Sequence, residues 1–154
     1  MKVISHRAYI NGPDESRENN PDAIEEALKD VLYVEVDIRL IGGDYYLGHD
    51  KAKYKVPKSF LRSFKDNLII HAKDLASAES LARELYYPHW FYHETDPMTI
   101  TSKGWPWLYP GLFMDAGVIL NFKNPNDPYF GKLNSFALCT DWPLYFLHDT
   151  AIIR

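Results

Sequence analysis

Apolar positions along this chain fall into short runs whose period switches between two and about 3.6 residues, the signature of strands and helices taking turns. Val3-Ile4-Ser5 is a short apolar entry strand that runs into His6-Arg7 and a loop rich in Gly, Pro and Asn through Asn20. A helix follows. Asn20 suits its N-cap, Pro21 its first position, and Asp22, Glu25 and Glu26 its positive end, with Ala23, Ile24, Ala27 and Leu28 as the apolar face. Tyr33 to Leu40 alternates as a strand does. Gly42-Gly43-Asp44 then marks a turn into the short run Tyr45 to Asp50. Pro57 to Phe64 reads as a short helix with Phe60, Leu61 and Phe64 inward, and Leu68-Ile69-Ile70-His71-Ala72-Lys73 as a strongly apolar strand. The next helix, from about Ala76 to Tyr87, is expected to bury Leu81 and Leu85 and to stop at Pro88.

Past Pro88 the texture changes. Trp90-Phe91-Tyr92, Trp107-Leu108-Tyr109, Val118-Ile119-Leu120 and Phe136 to Cys139 are strand candidates separated by Pro, Gly and Asn, with no long amphipathic helix between them. The first half therefore predicts repeated β-α units and parallel strands, and the second half keeps strands while losing most helices. A length of 154 residues with 46% hydrophobic and 25% charged positions suits a single globular domain, 1–154.

Charge narrows the partners. A net charge of -4 and the absence of any Lys/Arg run argue against nucleic acid and anionic membranes. The single cysteine, Cys139, rules out an intramolecular disulfide and a cysteine-rich zinc site, and is expected to be buried. No apolar run of 18 residues occurs and the first residues carry no signal-peptide pattern, so a cytoplasmic protein is expected.

The candidate chemistry lies at strand ends. Glu35 and Asp37 are two apart on a strand and share a face. If that face points inward, their repulsion must be offset by a cation or a proton, and Mg²⁺ or Ca²⁺ suits such oxygen ligands; if it is solvated, Val34 and Val36 form the buried face instead. His71 and Lys73 repeat the spacing on another apolar strand. His6-Arg7 offers a proton carrier and a guanidinium able to grip phosphate, and His49-Asp50 a second imidazole.

In order, His6-Arg7, Glu18-Asn19, Glu35-Val36-Asp37 and His49-Asp50 resemble the glycerophosphodiester phosphodiesterase family, and Ala137-Leu138-Cys139-Thr140-Asp141-Trp142-Pro143 resembles that family's closing strand. The resemblance covers about the first 75 residues and the last strand. It implies an α/β fold, a reduced or incomplete TIM-type (β/α) barrel with helices mainly in its first half. It further implies a phospholipase-C-like phosphodiesterase in which His6 and His49 are the general acid/base pair, Glu35 and Asp37 bind metal and Arg7 holds phosphate. Lys73 would stabilise developing charge. Where the family has a third acidic ligand this chain has His71, so the site binds Mg²⁺ or Ca²⁺ weakly, prefers a transition ion, or recruits another acid such as Glu94 or Asp141. The same groups would also serve a phosphate-binding module without catalysis, or a sugar-phosphate lyase or isomerase.

The segment His89 to Gly111 resembles a pattern found in small proteins encoded among bacterial surface-polysaccharide genes. That resemblance implies a small-molecule substrate, a phosphodiester carrying a sugar or polyol phosphate rather than a lipid, with Trp105, Trp107 and Tyr109 as stacking surfaces; the other reading has these rings packed over a barrel end that lacks helices. Aromatic residues make up 15% of the chain, and an apolar patch on the second half would make a homodimer the natural way to cover it.

Overall fold

The alternating run that begins at Tyr33 becomes the axis of the molecule. In a computed structural model, which describes residues 1–86, 88–125 and 135–148, it forms β2 (Tyr33–Ile41), paired in parallel with β1 (Lys2–His6) on one edge and β5 (Leu68–Ala72) on the other. Beyond β5 lies β6 (His89–Tyr92); beyond β1 lie β10 (Ala137–Thr140), β9 (Val118–Asn121) and β8 (Pro106–Leu108), all parallel. Two antiparallel additions complete the sheet. β7 (Met98–Ile100) pairs with β8, and the hairpin of β3 (Asp44–Leu47) and β4 (Tyr54–Val56) pairs with the far end of β2.

The expected (β/α) barrel of alternating strands and helices is not formed. Among the described residues the sheet has ten strands of mixed direction, and there are four helices of only six to eight residues: α1 (Pro21–Ala27), α2 (Lys58–Ser63), α3 (Leu75–Ala82) and α4 (Pro143–His148). The cause is local. The connections 93–97, 101–105 and 109–117 are short and carry Pro97, Gly104, Pro110 and Gly111, leaving neither the length nor the backbone freedom for a crossover helix. None of the four helices is long and apolar enough to cross a membrane.

The helices follow their caps. Asn20 Oδ1 accepts from the Asp22 N–H at 2.9 Å with Pro21 in the first turn, and Ala23, Ile24 and Ala27 are buried. Asp74 caps α3 by accepting from the Ser77 N–H at 2.6 Å. This helix ends at Ala82, sooner than the sequence predicts; the predicted end, Tyr87, lies outside the described residues. Leu81 is buried as expected, but Leu85 is 88% exposed, because the helix stops before it can carry Leu85 onto the face of Leu81. The strands β4 and β7 and the helix α4 have no counterpart among the predicted elements; Phe146 of α4 fills a cluster with Val3, Leu108, Ile119 and Leu138.

Both faces of β2 are buried. Val34, Val36 and Ile38 join Ile24, Leu61, Leu68, Ile70 and Leu81 under the helices, while Glu35 and Asp37 turn to the opposite face. There a second apolar cluster gathers Ile4, Ile69, Phe91, Trp107, Val118, Ala137 and Cys139, the last buried as predicted. Phe91 of β6 and Trp107 of β8 stack with ring centroids 4.4 Å apart, and the Ser102 N–H donates to the Trp90 carbonyl at 2.8 Å. The two ends of the parallel row therefore meet, and the second cluster lies inside the curl.

Candidate functional site

Side-chain alternation sets the inner face of each parallel strand. β1 and β5 each carry an apolar residue and then an imidazole on that face, Ile4 then His6 and Ile69 then His71, while β2 carries Tyr33, Glu35 and Asp37. Strand register does the rest: His6 pairs with Glu35, and Asp37 with His71. Four groups from three strands become neighbours above an apolar floor.

His71 decides the electrostatics. Its Nε2 lies 3.0 Å from the His93 carbonyl oxygen, which can only accept, so Nε2 carries a hydrogen. Nδ1 then faces Asp37 Oδ1 at 3.2 Å and Glu35 Oε1 at 3.8 Å. Asp37 Oδ1 and Glu35 Oε2 are buried and accept no hydrogen bond. Electron-rich atoms aimed at one point need positive charge between them, either a proton on His71 or a cation. Glu35, Asp37 and His71 each offer a donor atom within 4.8 Å of the others, and an imidazole held through its second nitrogen by a backbone carbonyl is the arrangement metal-ligating histidines use. The three residues fit a divalent cation.

The two carboxyls are set apart by their surroundings. Burial, and then the Asp37 charge, raise the Glu35 pKa well above its ordinary value. Burial acts on Asp37 in the same direction, but His71 and Arg7 overcome it and hold this carboxyl well below the usual range. Asn19 clamps Asp37 from both sides, its Nδ2 donating to Oδ2 at 3.0 Å and its Oδ1 accepting from the Asp37 N–H at 2.8 Å. Arg7 Nε is 3.1 Å from Asp37 Oδ2 and its Nη1 3.6 Å from Glu18 Oε2; burial opposes the guanidinium charge, and the carboxylates of Asp37, Glu35 and Glu18 raise its pKa regardless. Lys73 Nζ lies 3.7 Å from Asp37 Oδ1. Arg7 and Ala8 turn the chain at the end of β1 with φ of +52° and +67°, the left-handed region that side chains other than glycine seldom occupy, and such strain is characteristic of functional turns.

The two predicted proton carriers each have an aspartate. His6 Nδ1 is 2.6 Å from Asp141 Oδ1, so Nδ1 donates and Nε2 points its lone pair toward Glu35 Oε2, 3.9 Å away. Burial pushes the His6 pKa below its ordinary value, against the opposing pull of Asp141. His49 Nδ1 pairs with Asp50 Oδ1 at 2.7 Å. Asp141 thus serves His6 and does not complete the acid and imidazole set, and Glu94, exposed and bound by the Tyr92 hydroxyl, does not belong to it either.

His6, Arg7, Glu35, His49, His71 and Lys73 all line one cavity of ≈ 340 Å³, with Glu94 at its side and Trp107 in its wall. Glu18, Asn19, Asp37 and Asp141 stand behind them as partners. Trp105 is not in this cavity; it packs edge-on against Tyr33, His89 and Phe136. Sequence reasoning missed three contributors. Phe122 stacks on the His6 ring at 4.3 Å, Phe91 stacks on the His71 ring at 4.6 Å, and the Tyr9 hydroxyl donates to Glu18 at 2.9 Å. Phe91 could have been found, since it lies at the inward position of a predicted strand; Phe122 follows a strand end and carries no local signal. No protein-family model, no curated protein and no solved structure matches this chain.

Proposed function

We propose that this protein is a metal-assisted phosphodiesterase that hydrolyses a phosphodiester of glycerol or a related polyol. The observation that carries the reading is one cavity lined by two aspartate-held imidazoles, two cationic side chains, Glu35 and His71, with Asp37 directly behind its wall completing the donor set. Phosphodiester hydrolysis needs a proton acceptor for the attacking water, a proton donor for the departing alcohol and positive charge beside the phosphoryl oxygens.

His6 is the base. Its Nδ1 is committed to Asp141, and its lowered pKa keeps Nε2 unprotonated near neutral pH, ready to take a proton from water. As the water oxygen bonds to phosphorus, the bond from phosphorus to the alcohol oxygen breaks. His49 gives that oxygen its proton, with Asp50 orienting the ring through Nδ1. Arg7 and Lys73 hold positive charge at the wall where phosphate would sit. A divalent cation bound by Glu35, Asp37 and His71 would supply further charge to a phosphoryl oxygen. A cytoplasmic location belongs to the same reading, and the single buried, unpaired cysteine supports it.

The test is alcohol release from a panel of glycerophosphodiesters and a chromogenic phosphodiester, with Mg²⁺, Ca²⁺, Mn²⁺ or EDTA, for wild type and His49→Ala. Turnover that depends on metal and falls at least about 10²-fold in a folded His49→Ala variant is the expected outcome. Folded wild type that is silent across the panel would overturn it.

A further inference from the structure

The inner face of β2 does not end at Asp37. Arg39 follows two residues later on the same face, one residue past Ile38, which forms the last pair with β5, so its side chain leaves from the rim of the curl. It does not join Arg7 and Lys73 in the cavity wall. Its Nη2 instead donates to the His49 carbonyl oxygen at 2.6 Å, in the connection between β3 and β4. Its Nε is buried and has no partner, which costs stability, so the bond to His49 is what this guanidinium does for the protein.

His49 needs such a tether. It borders the main cavity and also a second hollow of ≈ 270 Å³, shared with Glu15, Asp50 and Lys53, so packing alone does not fix it. The Asp50 carboxylate that meets its Nδ1 is 90% exposed, and an ion pair so open to water restrains a side chain weakly. Backbone bonds secure the two ends of the connection, where the Gly48 N–H donates to the Asp37 carbonyl at 3.1 Å and the Lys53 N–H to the Leu47 carbonyl at 2.9 Å. Between them, the charge-assisted bond from Arg39 grips the chain at His49 itself.

The geometry points to Arg39 as the positioning residue of His49: it holds the connection so that the imidazole stands at the cavity, and through it places the proton given to the departing alcohol. The second half of this inference rests on the phosphodiesterase reading; the first half does not. Arg39 itself touches neither the phosphate nor the leaving oxygen. Its influence is large all the same, because moving a reacting group by about 1 Å can lower the rate about 10²-fold.

The test compares two substrates that differ only in leaving group, the methyl and para-nitrophenyl esters of glycerol phosphate, in Mn²⁺. A departing methanol oxygen must be given a proton, whereas nitrophenolate leaves without one. In Arg39→Ala, kcat for the methyl ester should fall about 10²-fold with KM within about threefold of wild type, while kcat for the nitrophenyl ester falls less than about fivefold. Arg39→Lys keeps a donor for the carbonyl and should recover at least about tenfold of the loss. Added to His49→Ala, Arg39→Ala should lower methyl-ester turnover by less than about threefold more. Equal loss on the two esters, or the whole loss repeated in the His49→Ala background, would overturn the inference, because Arg39 would then serve the fold or the phosphate. Amide hydrogen exchange in EDTA reads the same contact without turnover. Arg39→Ala should speed exchange of the bonded Gly48 and Lys53 amides at least about tenfold and leave the amides of β5 unchanged. Unchanged exchange in the connection, or equal speeding in β5, would overturn the inference. Faster exchange confined to the connection, in a protein whose wild type is silent on both esters, would sink the phosphodiesterase reading alone and leave Arg39 as the tether of His49.

Discussion

Single side chains set the protonation states of this site. Asp141 holds the His6 imidazole by Nδ1 and raises its pKa against burial. Asp141→Asn should therefore lower kcat/KM about 10²-fold and move the acidic limb of its pH profile to lower pH, as read in a folded variant by circular dichroism and steady-state assay. A limb that stays in place would remove Asp141 from this role. Glu35 is the opposite case, since its pKa is raised in the folded protein. The folded state then binds more protons than the unfolded state above the ordinary glutamate value, so stability is fully present below that value and is lost as pH rises through the folded one. Glu35→Gln should melt higher than wild type in EDTA at pH 8, and the difference should shrink toward pH 4. Mn²⁺ should raise the melting temperature of wild type and leave Glu35→Gln nearly unmoved.

At the scale of elements, strand ends and their turns aim the site. The β3 to β4 connection carries His49, and it departs from Gly48, whose φ is +142° and whose missing Cβ would fall 2.1 Å from the Lys51 carbonyl oxygen. The Gly48 N–H also donates to the Asp37 carbonyl at 3.1 Å, tying this turn to β2. Gly48→Ala should cost about 1–3 kcal/mol in urea unfolding and weaken turnover through displacement of His49. An alanine variant of unchanged stability and activity would show that the turn can re-form. Elements were also where the sequence was most legible. Asn20 and Pro21 place the start of α1 by local chemistry alone, and the alternation from Tyr33 marks β2 without help from the rest of the chain. The end of α3 was not legible, because helical periodicity continues to Leu85 while the chain itself turns after Ala82.

At the scale of the molecule, the curl closes where β6 meets the β7 and β8 hairpin. His89 sits in that seam, 3% exposed, paired through Nε2 with the Thr101 hydroxyl at 2.9 Å and meeting the Trp105 ring edge-on. Burial, with a smaller push from the Lys103 charge, lowers its pKa to about 4. Its folded pKa is depressed, so stability is present above the ordinary value of 6.5 and is lost as pH falls toward 4. The loss amounts to as much as about 3 kcal/mol, and His89→Gln should flatten that limb of the stability profile between pH 7 and 4. A His89→Gln profile that follows the wild-type one between pH 7 and 4 would show that the seam does not hold His89 neutral.

The sequence by itself determined the chemistry of the site: which residues end each strand, that Glu35 and Asp37 share a face, and that His71 and Lys73 repeat their spacing. Those properties follow from the two-residue period of a strand, which is a local rule. Tertiary structure decided what the residues do to one another. Only register places Asp37 beside His71, only the return of β10 beside β1 brings Asp141 to His6, and only closure of the curl sets Phe91 on Trp107. It also decided against a barrel of alternating strands and helices, because helix formation needs uninterrupted chain between strands and the connections 93–97, 101–105 and 109–117 are spent on Pro and Gly turns. Long-range pairing is a property of the whole sheet, and no window of sequence contains it.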